Sequence, residues 1–257
     1  MKQRYEKAVH ELLRDINRTG TGKAVFEEIR RQQTPFCDIT IKPWFIDPDM
    51  EKKIEAAKAS LKKDPGSADL KSQISQREKE ALADAPNAFA TPMGRAPGRR
   101  QFGREGRREK ALVRFTPANW THNPINATLG IGVSFVGPGS KPDEMLLHEL
   151  VHALRIIAGR LNSKRKVPFQ KQYDNMEEFL AILIANIYRS EYSSRKHIRA
   201  GHDKYFWFTD ADAEAFLHKG MNRMHVRHLR LQHPQLFNTL NDVNAPFNPL
   251  RGFRDAR

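Results

Sequence analysis

Cysteine is all but missing from this chain: Cys37 is the single thiol among 257 residues. With no partner inside the chain it forms no internal disulfide and no cysteine metal cluster, so the fold does not depend on an oxidising compartment and a cytosolic setting fits it. Also missing is any run of the roughly 18 to 20 apolar residues that a membrane-spanning helix needs, so a soluble protein is expected. The first segment, MKQRYEKAVHELLRDINRTG, has neither the apolar centre nor the small-residue cleavage site of a secretory signal and reads as an amphipathic helix. Acid is in deficit. Lys and Arg number 44 against 30 Asp and Glu, a net charge of +14, with a pI of about 10.0. Such a balance attracts nucleic acid, anionic membrane surfaces or acidic protein segments. Much of the excess lies in Arg95, Arg99, Arg100, Arg104, Arg107 and Arg108, within a Gly- and Pro-punctuated stretch whose plain reading is a solvated basic loop. No internal repeat is present.

The order of the segments suggests three parts: an N-terminal helical region over 1–84, a flexible basic connection over 85–110, and a catalytic domain over 111–257. Residues 3 to 17 and 22 to 33 have helical spacing, and Asp38 to Trp44 alternates like a strand. The stretch from Asp49 to Asp84 is rich in Lys, Glu, Ala and Gln and broken at Pro65 and Gly66, which predicts a polar helical hairpin. Residues 85 to 110 have the low apolar content and frequent Gly, Pro and Arg of a flexible connection. Beyond them, Ala111 to Phe115 and Thr128 to Val136 read as strands. Asp143 then stands where an acid favours a helix start. The helix it opens, DEMLLHELVHALRIIAGR, is followed by a second, from Asn175 to about Arg195, whose run FLAILIANIY predicts burial.

The chemistry is concentrated in HELVH, residues 148 to 152. Two histidines four positions apart on a helix present both imidazoles to one ion, and Glu149 falls beside them. In that arrangement His148 and His152 bind Zn²⁺, a third protein ligand completes the set, and the open fourth position holds a water whose pKa falls towards ~7, with Glu149 as its general base. By chance the motif arises roughly 0.02 times in a chain of this composition, so its context matters. That context is aliphatic: Leu146, Leu147, Leu150, Val151 and Leu154 surround the histidines, which would leave two buried imidazoles without partners unless a metal takes them. The rival, a surface arrangement with His148 and His152 paired to Glu149 and Glu144, fits those neighbours poorly.

For the third ligand, NMEEFLAILIAN offers Glu177 and Glu178, 25 and 26 residues beyond His152. Either carboxylate can reach the ion. Glu178 is favoured because Ala181, three residues on, lets its helix approach the HELVH helix closely; Glu177 would then orient a histidine from behind. One of the pair is also explained by the preference for acids at a helix N-terminus. Tyr188, Tyr192, His202 and Tyr205 are each candidates to stabilise an oxyanion, and the sequence does not choose among them.

HELVHAL, a spacer containing Gly159, then EEFLAILIANIYR, GHDKYF and a terminal FNPLR resemble the NleD-like type III secretion effector zinc metalloproteases over roughly residues 110 to 251. The resemblance implies a bacterial effector, delivered without a signal peptide into the host cell cytoplasm, that cleaves host signalling proteins such as a mitogen-activated protein kinase. The fold expected is α+β, mainly helical, a zincin-like core with a small sheet beside the HELVH helix, acting as a monomer. Two other readings keep the same residues. One is a nucleic-acid or anionic-surface binding protein whose HExxH helix is not catalytic, motivated by the charge but lacking basic-aromatic platforms; the other is a hydrolase of small amides.

Overall fold

Two helices buried on nearly every side, polar residues included, form the centre of this fold. A computed structural model describes residues 2–43, 48–74, 88–93, 107–116, 141–161, 173, 175–195, 197–199, 205–207 and 212–253. In chain order the elements are α1 (Lys2–Ile16), α2 (Gly20–Gln32), β1 (Ile39–Lys42), α3 (Pro48–Lys63), β2 (Phe89–Pro92), β3 (Ala111–Arg114), α4 (Pro142–Ile157), α5 (Met176–Ser190), β4 (His197–Arg199), β5 (Tyr205–Trp207), α6 (Asp212–His218), α7 (Asn222–Gln232) and α8 (Pro234–Asn241). The architecture is α+β and mainly helical. No helix among the described residues is long and apolar enough to cross a membrane.

Helix α4 carries HELVH and is buried from Glu144 to Ile157 apart from Met145; α5 is buried from Phe179 to Ser190. Their close packing forms the core, and the sheet, α1 and α2 pack around α4. In the sheet, β3 is central, parallel to β1 and antiparallel to β2. A separate antiparallel pair, β4 and β5, packs with α5. The turn that ends α4 needs Gly159, which has φ +68°. There the Arg160 N–H reaches back to the Arg155 carbonyl at 2.8 Å and the Gly159 N–H to Ile156 at 3.0 Å, closing the last turn with a left-handed glycine. Gly22 answers a different need: a Cβ there would lie 1.9 Å from the Ile16 carbonyl oxygen, so α2 leaves the α1 turn at a distance that excludes any side chain.

Three expectations change against this fold. The stretch 85–110 is not uniformly a flexible connection, because Phe89–Pro92 forms β2, and Met93 N–H extends the pairing to the Lys110 carbonyl at 2.7 Å. Arg108, from the end of the basic run, is not simply solvated: it donates to the Ile157 carbonyl at 2.9 Å and to the Gln32 carbonyl, placing a cation at the negative end of α4, while Arg95 to Arg104 lie outside the described residues. Finally, the N-terminal helices do not form a region apart. Ile16, Val25 and Ile29 share one buried cluster with Leu150 and Leu183, and the Tyr5 hydroxyl donates to the Phe115 carbonyl at 3.0 Å. The helical hairpin is seen as α3 and a helical segment over 68–74, separated by a turn at Pro65 and Gly66. The strand expected over Thr128 to Val136 lies outside the described residues.

Polar contacts tie α2 to elements far along the chain. Glu191, at the end of α5, accepts from the Gly20 and Thr21 N–H groups at 2.7 and 2.9 Å, a carboxylate on the positive end of α2. Glu28 on α2 meets His233 at the start of α8, with Oε1 3.0 Å from Nδ1, and accepts from Arg31 and Gln32 as well. Burial alone would raise the Glu28 carboxyl; the His233, Arg31 and Gln32 donors outweigh it and pull it from 4.5 down to about 2. The folded chain therefore binds fewer protons here than the unfolded one, and this contribution to stability is complete above the ordinary carboxylate value and is lost as pH falls towards about 2. We expect the melting temperature to drop more steeply across that window in the wild type than in Glu28→Gln. Equal slopes in a pH series of thermal melts would contradict this.

Candidate metal centre

His148 and His152 stand one turn apart on α4, four residues being close to one helical period. Their rings meet edge-on at 79° with centroids 4.8 Å apart, and their Nε2 atoms are 3.1 Å from each other. Both residues are buried, at 5% and 8% exposure. The third member comes from the first turn of α5. There Asn175 caps the helix, its side-chain oxygen accepting from the Glu178 N–H at 3.0 Å, which fixes the backbone from which Glu178 projects. Glu178 Oε2 lies 3.3 Å from His148 Nε2 and 3.4 Å from His152 Nε2.

This triangle has the size a metal requires. Ligand atoms about 2.0–2.1 Å from a tetrahedral zinc are separated from one another by about 3.3–3.4 Å, against 3.1, 3.3 and 3.4 Å here. Two neutral imidazoles and a carboxylate are also a donor set that zinc takes readily. Without a cation, three electron-rich atoms so close together need a proton between them, and the titration behaviour reflects this. Burial, helped by the neighbouring His152, pushes His148 well below the usual histidine value, whereas Glu178 overrides burial and lifts His152 above it.

Glu149, one residue from His148, is 4% exposed. Burial, reinforced by the nearby Glu178 charge, pushes its carboxyl up to about 7, with His152 and the Ala90 backbone N–H of β2 acting against the rise. A group poised near neutrality is suited to taking and returning a proton. The Ala90 contact also places β2, one of the two outer strands of the sheet among the described residues, directly beside the site.

Two ion clusters hold α4 and α5 in antiparallel register. At one end the Arg155 guanidinium grips both oxygens of Glu177, through Nε to Oε2 and Nη2 to Oε1 at 2.8 Å, and Nη2 also donates to the Arg160 carbonyl at 2.7 Å. At the other end Glu144 accepts from Arg189 and, at 2.9 Å, from Arg195, while Asp143 accepts from Arg195 at 2.8 Å and from the Tyr188 hydroxyl at 2.6 Å. The register so fixed brings Glu178 opposite the two histidines.

The structure thus brings His148, His152 and Glu178 together with Glu149 beside them. Glu177, expected to orient a histidine, has both oxygens bonded by Arg155 and acts on His152 through its charge, which raises that histidine. Asp143 does more than favour a helix start, since it joins the cluster at the far end. Of the oxyanion candidates, Tyr188 donates to Asp143 and lies 3.1 Å from the Tyr192 hydroxyl; the side chains of His202 and Tyr205 lie outside the described residues. Arg199 had not been singled out. Its backbone N–H and carbonyl are both held by the Asn186 side chain, at 2.8 and 2.7 Å, so that it borders a small cavity together with His148. Its signal in the sequence was faint, because β4 lies outside both motif-bearing helices. No family model, curated protein or solved structure matches the chain significantly, so the site's own geometry carries the functional reading.

Proposed function

We propose that the chain is a zinc-dependent metallopeptidase with a zincin-like core, in which His148, His152 and Glu178 hold the metal and Glu149 is the general base. The observation that carries this reading is the convergence of three donor atoms, the nitrogens of two buried histidines and an oxygen of the half-buried Glu178 carboxylate, on a triangle of zinc-ligand size. Bound there, zinc would supply a Lewis acid and lower the pKa of a water towards ~7. The chain's own part is to aim both Nε2 atoms from one buried helix face and to hold a carboxylate beside them. Glu149 takes the proton of the attacking water on its carboxylate and passes it to the leaving amine.

The position of β2 supports a polypeptide substrate over a small amide, since an extended chain added along this outer strand would run past Glu149. The resemblance to NleD-like effectors further specifies that substrate as a host signalling protein, a mitogen-activated protein kinase being the named candidate, with delivery into the host cell. A lysate of eukaryotic cells treated with zinc-loaded protein should yield a small set of new N-termini by mass spectrometry, absent when a zinc chelator is present. An unchanged set of N-termini from zinc-loaded, folded protein would remove the peptidase reading and turn attention to the small-amide and binding-protein alternatives.

A further inference from the structure

A cavity of about 750 Å³ opens between α6, the start of α7 and the segment 244–253. It has the size of a ligand pocket, and none of His148, Glu149, His152 or Glu178 lines it. Its floor is apolar, with Leu217, Pro249 and Phe253 all buried. Its rim is polar: Arg251, His218 and Glu214 are exposed there, and Arg223 is half-buried.

Both rim guanidiniums are held in place. Arg251 Nη1 donates to the Asn244 side-chain oxygen at 3.1 Å, and Arg223 lies over the Phe253 ring, 5.2 Å from its centroid. A guanidinium so oriented suits paired hydrogen bonds to a carboxylate. Gly252 keeps the approach beside Arg251 open, since a Cβ there would have no atom within 4 Å. The basic character continues along α7, which carries Arg223, Arg227 and Arg230 and no acidic residue. Glu214 is the one carboxylate lining the cavity among the described residues. On its inner side α6 reaches the helix of the third ligand: Phe216 stacks on Phe179 with centroids 5.7 Å apart, and Phe179 follows Glu178 in the chain.

We propose that this groove is a docking site for an acidic segment of the polypeptide substrate, outside the metal centre. Carboxylates of the segment meet Arg223 and Arg251 while its apolar side chains enter over Leu217 and Phe253. The role in substrate capture rests on the peptidase reading above. Charge complementarity selects an acidic partner, and a concavity over an apolar floor fits an extended chain better than a bilayer surface. Nucleic acid is disfavoured because Phe253, the aromatic on the wall, is 9% exposed and faced by Arg223, which leaves no platform there for stacking bases.

The probe is a fluorescein-labelled peptide of Glu-Leu-Asp-Pro repeats, followed by anisotropy on the full chain, with a Gln-Leu-Asn-Pro counterpart as control. The acidic peptide should bind and the neutral one should not. Affinity should fall by roughly fivefold or more in Arg251→Glu, where repulsion replaces attraction, and should rise in Glu214→Lys, which removes the opposing charge. Both side chains are exposed, so neither change threatens the fold. Equal binding of the neutral peptide, or no response to either charge change, overturns the proposal. Tighter binding of an oligo-dT strand or of phosphatidylserine vesicles, lost in Arg251→Glu, overturns it in favour of that partner. Binding is read without turnover, so the two readings fail separately: a folded chain that binds the peptide yet takes up no zinc overturns the peptidase reading, whereas a zinc-loaded chain that cleaves lysate proteins and ignores the peptide overturns the docking site.

Discussion

Replacing Glu149 by Gln should lower hydrolysis by roughly 10²–10⁴-fold, the usual contribution of a positioned general base, while one metal per chain is retained. The side chain keeps its size and can still accept a hydrogen bond, so packing around a residue only 4% exposed is preserved. What is lost is a carboxylate able to take a proton near neutral pH, which burial has tuned to about 7. Metal retention follows from geometry, because the three converging donor atoms belong to His148, His152 and Glu178. Steady-state rates and metal content should be measured on the same preparation. Full activity would remove Glu149 from the mechanism, and loss of the metal would mean that it helps to build the site.

Arg155→Met is expected to destabilise the fold by about 3–5 kcal/mol, the cost of leaving a buried charge without its partner. Arg155 and Glu177 are each about 1% exposed, and the guanidinium makes two bonds to the carboxylate and one to the Arg160 carbonyl. Without it, the buried Glu177 carboxylate loses both of those bonds, next to Glu178, the proposed third ligand. Metal affinity should therefore fall together with stability. Adding Glu177→Leu should recover much of the loss, since a buried ion pair exchanged for apolar side chains is often neutral or better. Urea denaturation of the single and double variants decides between these outcomes; a single variant as stable as wild type would show that the pair does not hold the two helices together.

How much of this was visible in the sequence depended on the range of the interactions. The two central helices were legible because FLAILIANIY and the aliphatic residues around HELVH state their burial locally. Glu178 was legible for a similar reason: it sits in the first turn of a helix whose next turn offers Ala181, and that residue is fully buried. The fate of Glu177 was not, because its partner Arg155 lies 22 residues earlier on a helix whose neighbouring positions are aliphatic. Strand β2 was hidden by composition, four residues within a Gly-, Pro- and Arg-rich stretch, and it is defined by pairing with β3 rather than by its own propensity. The attachment of the N-terminal helices was equally out of reach, resting on contacts such as Glu28 to His233, 205 residues apart.

The central claim is that three donor atoms converge here because they hold a metal. Its most direct test is the zinc content, by elemental analysis, of purified wild type beside His148→Ala, each dialysed without added metal and each shown to be folded. One zinc per chain in the wild type and none in the variant is the predicted result. Folded wild type that contains no metal and takes up no added zinc would contradict it.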